Sequence, residues 1–295
     1  MSGGWPNFFV VGAAKAGTTS LHAYLMGHPE IYMAAVKEPH YFSRLEPSPE
    51  RRPFLPTIDD ERPYLNLFRD AGDRPVRGES STSYLTVPDA AGRIRECCPT
   101  AKAVIMLREP VSRAYSHFLA DVRDGVERRS FRHAIEDELS GSERLEWGVS
   151  GLYVTIGRYA EDVARYRRLF GSDLRVLFFE DLVADPTANV RQVLDFLGVD
   201  GGYADSLSPE AHNPYRRPRA GLAGRIFSSP RARVVSRRLL PRGARARLKR
   251  SLTKDAPKPP IRMEDRERLT ALYRPDVERL AELLGRRPPW PAYRA

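Results

Sequence analysis

The sequence predicts an α/β protein, a three-layer fold with a central parallel sheet flanked by helices. Three observations carry that expectation. Short apolar runs alternate with helical stretches along most of the chain, the pattern of strands covered on both faces. One run, Ala103-Val104-Ile105-Met106-Leu107, is continuously apolar, as a central parallel strand must be. Another, Phe8-Phe9-Val10-Val11, leads through a glycine-containing turn into three hydroxyl residues that open a helix.

In chain order, residues 7–12 read as the first strand and 17–28 as the first helix. Residues 33–42 read as a turn or short helix, and 44–63, rich in Pro and charge, as a loop. Val76–Glu79 is a short strand and Asp89–Cys98 a helix. After the central strand, Pro110–Arg123 is helical, with proline in the first turn where its missing N–H costs nothing. Phe131–Leu139 and Gly157–Phe170 are further helices, and Leu174–Phe179 is a strand. Thr187–Leu197 is a helix stopped by Gly198. The last helix, Glu264–Leu284, has apolar residues at helical spacing. With no internal repeat and no low-complexity linker, residues 1–295 are expected to form one domain, carrying a basic segment at about 211–254.

No apolar run approaches the ~20 residues that span a bilayer. The N-terminal apolar run is short, has no basic residue before it and leads straight into the glycine turn, so it reads as a strand and not a secretory signal. The two cysteines, Cys97 and Cys98, are adjacent and give no disulfide framework. A cytoplasmic protein is expected. The net charge of +10 is concentrated: residues 211–254 hold fourteen Arg or Lys and no acid, so the remainder is net negative. Within that segment, 222–252 mixes aliphatic residues with Arg, which fits peripheral contact with the inner, anionic face of a membrane; a solvated or mobile lid is the blander alternative. No nucleic acid is expected as partner, because the basic run lacks interleaved aromatic platforms.

The chemistry centres on Gly12-Ala13-Ala14-Lys15-Ala16-Gly17-Thr18-Thr19-Ser20. A tight turn before a helix points several backbone N–H groups at one spot, and the helix dipole and Lys15 add positive charge there. The result is a P-loop-like anion cradle. The spacing of Gly12 and Gly17 matches a nucleotide kinase loop, but Thr18 stands where that loop would carry its Lys. The cradle therefore suits a phosphorylated cofactor that does not need the metal–ATP arrangement.

This loop resembles the 5′-phosphosulfate loop of sulfotransferases that use 3′-phosphoadenosine 5′-phosphosulfate (PAPS). The resemblance continues through Lys37-Glu38-Pro39-His40-Tyr41-Phe42, Gly78-Glu79-Ser80-Ser81-Thr82-Ser83-Tyr84 and Leu107-Arg108-Glu109-Pro110-Val111-Ser112-Arg113-Ala114-Tyr115-Ser116. It is strongest toward the heparan-sulfate branch and its bacterial relatives, and covers roughly residues 5 to 200. It implies a transfer of a sulfuryl group from PAPS to a hydroxyl of a carbohydrate, glycolipid or secondary metabolite, releasing 3′-phosphoadenosine 5′-phosphate (PAP), with no metal.

The resemblance also implies roles. Lys15 stabilises charge on the leaving phosphate, and the backbone of Ala16, Gly17, Thr18 and Thr19 with the hydroxyls of Thr18, Thr19 and Ser20 holds its oxygens. Glu38 is the general base; His40 assists it or is the base instead. Arg108 and Ser116 grip the 3′-phosphate. Tyr159 approaches the adenine side or packs in the core. Arg216, Arg217 and Arg219 belong to a basic loop that closes over the nucleotide. In the heparan branch a Lys follows the Glu of the third segment; here Ser80 follows Glu79, so a second cation is missing or comes from elsewhere. Glu79 contacts the acceptor, orients Lys15, or pairs with an Arg. Two other readings stand beside this one: an NTP-dependent small-molecule kinase, disfavoured by Thr18, and a non-catalytic nucleotide-binding protein, disfavoured by Glu38 beside an intact loop.

Overall fold

Backbone pairing puts the most apolar strand in the middle of a five-stranded parallel sheet. In the computed structural model, β1 (Phe8–Val10) pairs with β3 (Val76–Ser80) on one side and β4 (Lys102–Leu107) on the other. β2 (Ile31–Met33) and β5 (Leu174–Phe178) complete the order β2-β3-β1-β4-β5. The structure describes residues 4–45, 57–141, 152–207, 216–218, 251, 253–255 and 257–294. Phe8, Phe9, Val10 and Val11 have no exposed surface, as strand order and two covering layers require. Burying each such Phe or Val contributes about 1.5–3 kcal/mol.

The connections explain the three layers. From β1 the chain passes through α1 (Thr18–Met26) toward the β2 edge; from β3 it passes through α4 (Ala90–Cys97) across β1 to β4. Right-handed crossovers in opposite directions put these helices on opposite faces. α1 packs with α9 (Pro186–Leu197), and α4 with α7 (Ala160–Phe170). α5 (Pro110–Arg123) follows β4 directly and packs against α10 (Met263–Leu284). The carboxyl end of β1 is thus the switch point where a crevice opens.

Three elements go beyond the sequence expectation. β2 spans three residues and α2 (Glu61–Leu65) five, too short for periodicity to mark. β2 exists because β3 offers it a ladder, Ile31 opposite Val76 and Met33 opposite Gly78. The strand expected to reach Phe179 stops at Phe178, where α8 (Phe179–Ala184) begins. α6 (Phe131–Ser140) starts on Ser130, whose side chain accepts from His133 N.

An aromatic cluster fastens the 38–44 segment to β1. Phe42 packs edge-on against Phe9 at 5.7 Å and Tyr84 at 5.8 Å, and Tyr41 stacks on Tyr64 at 4.2 Å. The C-terminal end packs against the end of β5. Trp290 is buried and donates through Nε1 to Glu180 at 2.9 Å, while Glu180 accepts from the Glu109 amide at 3.0 Å.

β6 (Arg216–Pro218) pairs antiparallel with β7 (Thr253–Asp255), which puts Arg216 and Arg217 on a short ladder. Arg219 and, save for Ser251, the segment 222–252 lie outside the described residues. Among the described residues no helix is long and apolar enough to cross a membrane.

Candidate active site

The donor-loop candidate begins where β1 runs out of partners. Val11 N still donates to Val104 O at 3.0 Å, and Ala13 N to Met106 O at 2.5 Å. The chain then reverses through Lys15, with φ 68°, and Gly17, with φ 88°. A side chain at Gly17 would bring its Cβ within 2.7 Å of Phe179 Cδ2, so the sharp passage beneath Phe179 requires glycine. α1 opens at once on Thr18, Thr19 and Ser20. The first amides of a helix lack intrahelical acceptors and sit at the positive end of its dipole, which makes this end receptive to an anion. Burial, reinforced by Arg123, pulls the Lys15 ammonium down to about 8. An anion in the loop would push it back up.

The second strand edge holds the Glu38–His40 segment. Glu38 N donates to Ser80 O at 2.8 Å and His40 N to Ser81 Oγ at 3.1 Å. The His40 ring is buried; its Nδ1 lies 2.7 Å from Ser83 Oγ, and its Nε2 lies 3.4 Å from Glu38 Oε2. Glu38 Oε1 accepts from Lys37 Nζ at 2.8 Å, and the same ammonium reaches Thr18 Oγ1 at 3.3 Å. Burial pushes the Glu38 carboxyl up, but Lys37 and His40 together outweigh it and hold the carboxyl well below the usual range. Among the described residues, the non-glycine positions with positive φ are Lys15, Glu38, His40 and Arg44. Strained backbone of this kind gathers at functional sites, and here it coincides with the three residues that the resemblance gives chemical roles.

Arg108 leaves the end of β4 and folds toward the loop. Its Nη1 donates to Lys15 O at 3.1 Å, its guanidinium lies 4.3 Å from the centre of the Phe179 ring, and its Nε is buried without a hydrogen-bond partner. Ser116 lies half-buried on α5. Tyr159 is fully buried, and its hydroxyl donates to Arg108 O at 2.9 Å. Lys258, which the sequence reading passed over, lies near enough to Arg108 that burial and that guanidinium both lower its pKa. Tyr115, beside Ser116, donates to Pro260 O at 3.3 Å and ties the Lys258 stretch to α5. The signal available was one Lys inside Pro257-Lys258-Pro259-Pro260.

Glu79 takes none of the expected parts. It is fully buried, and its carboxylate accepts from Tyr84 at 2.6 Å, Ser81 at 2.8 Å and Tyr64 at 3.0 Å. It fastens the end of β3 to the aromatic cluster. Ser80 is also buried, with Oγ 2.9 Å from His22 Nδ1.

α5 adds a cluster absent from the sequence reading. His117 and Asp121 share one helix face at i,i+4, 3.8 Å apart, and Tyr153 donates to Asp121 at 2.9 Å. Burial raises the Asp121 carboxyl to about 8 despite the Tyr153 hydrogen bond, and Asp124 adds to the rise while Lys15 opposes it. The helical spacing was visible; Tyr153, thirty-two residues from Asp121, was not assignable to it.

A parallel α/β sheet thus carries a Lys-bearing loop and an anion-receptive helix start at its switch point, with a carboxylate beside them. The profile described as the sulfotransferase family matches residues 6–205, and the chain belongs to that family. It is 30% identical over 196 residues to heparan sulfate glucosamine 3-O-sulfotransferase 6 of Homo sapiens, covering 66% of this chain and 53% of that protein. It is 28% identical over 201 residues to heparan sulfate glucosamine 3-O-sulfotransferase 3B1 of Mus musculus, covering 66% and 46%. The chain thus spans about half the length of these curated relatives. Among solved structures it resembles a sulfotransferase from Alicyclobacillus acidocaldarius, with TM-score 0.74 and 33% identity over 99% of both chains.

The Asp121 environment makes a pH prediction. A carboxyl raised from 3.8 to about 8 holds its proton in the folded state after the unfolded chain has lost it. The folded state then binds more protons, so stability falls as pH rises between about 4 and 8. Asp121→Asn keeps an acceptor for Tyr153 and removes the titration. Melting temperatures across that range should decline in the wild type more steeply than in the variant; parallel curves would refute the assignment.

Proposed function

We propose that the chain transfers a sulfuryl group from PAPS to a hydroxyl of a carbohydrate, glycolipid or secondary metabolite, leaving PAP. One observation carries the reading: Lys37 joins Glu38 at 2.8 Å to Thr18 at 3.3 Å, so a carboxylate stands at the rim of the anion loop. The names of the curated relatives support a carbohydrate hydroxyl as acceptor.

The residues fit the donor. The opening amides of α1 suit its 5′ end, and the unpartnered Arg108 Nε, with Lys258 nearby, suits its 3′-phosphate, toward which Ser116 of α5 is the further candidate. When bound, the donor supplies an activated sulfuryl group: the acceptor oxygen forms the new O–S bond as the S–O bond to the 5′-phosphate breaks. Lys15 meets the electron pair left on the phosphate oxygen. Glu38 takes the hydroxyl proton, and His40, seated on Ser83, orients the Glu38 carboxylate. Tyr159 keeps the Arg108 backbone in place.

Calorimetry should show PAP binding far more tightly than AMP. Arg108→Ala should shrink that preference by roughly 1.5–3 kcal/mol, the contribution of one charge-assisted hydrogen bond. Equal affinities in the wild type would refute the nucleotide reading. With labelled donor and a cell-extract acceptor pool, Glu38→Gln should lower transfer by about 10²–10⁴ without loss of PAP binding, and His40→Asn should lower it less. The reverse order would make His40 the base.

A further inference from the structure

Lys37 stands between a carboxylate and a hydroxyl of the anion loop. Its ammonium lies 2.8 Å from Glu38 Oε1 and 3.3 Å from Thr18 Oγ1, the first helical residue of the anion loop. The side chain keeps 22% exposure, so the ammonium can move without disturbing the core. The end of β3 offers no alternative cation, because Ser80 is buried and its hydroxyl engaged by His22. An anion entering the loop would compete with Glu38 for this ammonium, and a phosphate group brings more negative charge than one carboxylate.

Resting on the sulfuryl-transfer reading, we propose that Lys37 couples donor binding to the base. Its ammonium caps Glu38 before the donor enters, turns to the loop past Thr18 when the donor's anion arrives, and so releases Glu38 to accept the acceptor's proton. Lys37 is then a positioning residue for Glu38. The proton passes from the acceptor hydroxyl to the Glu38 carboxylate, and Lys37 itself gains and loses none.

The capped state has a clear electrostatic consequence. Glu38 faces Lys37 and His40 on its own segment and Lys15 from the donor loop; its charge also reaches His117 on α5, while Asp121, Arg123 and Asp124 of α5 act on Lys15. The pair with Lys37 is the strongest of the influences that hold Glu38 ionised. A carboxylate held that firmly is a weak base. Moving the ammonium away strengthens it without any change in the fold.

The test needs no acceptor and uses PAP as the probe. Carbon-13 carboxyl resonances of glutamate-labelled protein are titrated with and without saturating PAP, with Glu38 assigned by its loss in Glu38→Gln. In the wild type the Glu38 midpoint should rise when PAP is present. In Lys37→Met it should already be high without PAP and move less on binding. Calorimetry on Lys37→Met should show PAP affinity reduced about tenfold, the scale of one charge-assisted hydrogen bond. Lys37→Arg should restore most of that affinity, which excludes a general loss of folding. A Glu38 midpoint that PAP leaves unchanged in the wild type, or PAP affinity unaltered in Lys37→Met, would overturn the coupling and leave the donor reading intact. Failure of the wild type to bind PAP would overturn both.

Discussion

Parallel pairing of β1 with both β3 and β4 is the interaction on which the site depends. The register sets Val10 beside Ser80 and Val104. That brings three segments, distant in sequence, to one edge: the loop after Val11, the serines after β3 and Arg108 after β4. None of the three could find the others without the ladder. The ladder in turn holds because Phe8, Phe9 and Val10 are shielded from water on both faces.

The edge also bears strain. Lys15, Glu38 and His40 occupy left-handed backbone, which costs of order 1–3 kcal/mol per residue. Nearby contacts offset it. The Arg108 guanidinium holds Lys15 O, the Glu38 amide is bonded to Ser80 O, and the His40 amide to Ser81 Oγ. Glu79 steadies the serines by taking the Ser81 hydroxyl and two tyrosine hydroxyls. A buried carboxylate that touches none of the candidate reacting groups therefore governs how they are presented.

Much of this was legible in the sequence, and the reasons differ by residue. The loop could be read from residues 8–20 because a strand, a turn and a helix start are local events. β4 could be read from its unbroken apolar run. The three-residue β2 could not, since its existence is owed to β3 and not to its own pattern. Glu79 stood in a recognisable segment, yet its partners Tyr64 and Tyr84 come from different elements, and only the fold brings them together. The same holds for Tyr153 beside Asp121 and Lys258 beside Arg108. Lys37 was visible as a neighbour of Glu38; its second contact, with Thr18, depends on the sheet placing the loop and the 38–40 segment side by side.

In the proposed mechanism Lys15 acts on charge that develops during transfer. The direct measurement is sulfuryl transfer from labelled PAPS by Lys15→Ala, set beside the calorimetric affinity of the same variant for PAP. Transfer should fall by about 10²–10³, while PAP affinity falls far less. Near-normal transfer, or a loss of PAP affinity as large as the loss of transfer, would contradict it.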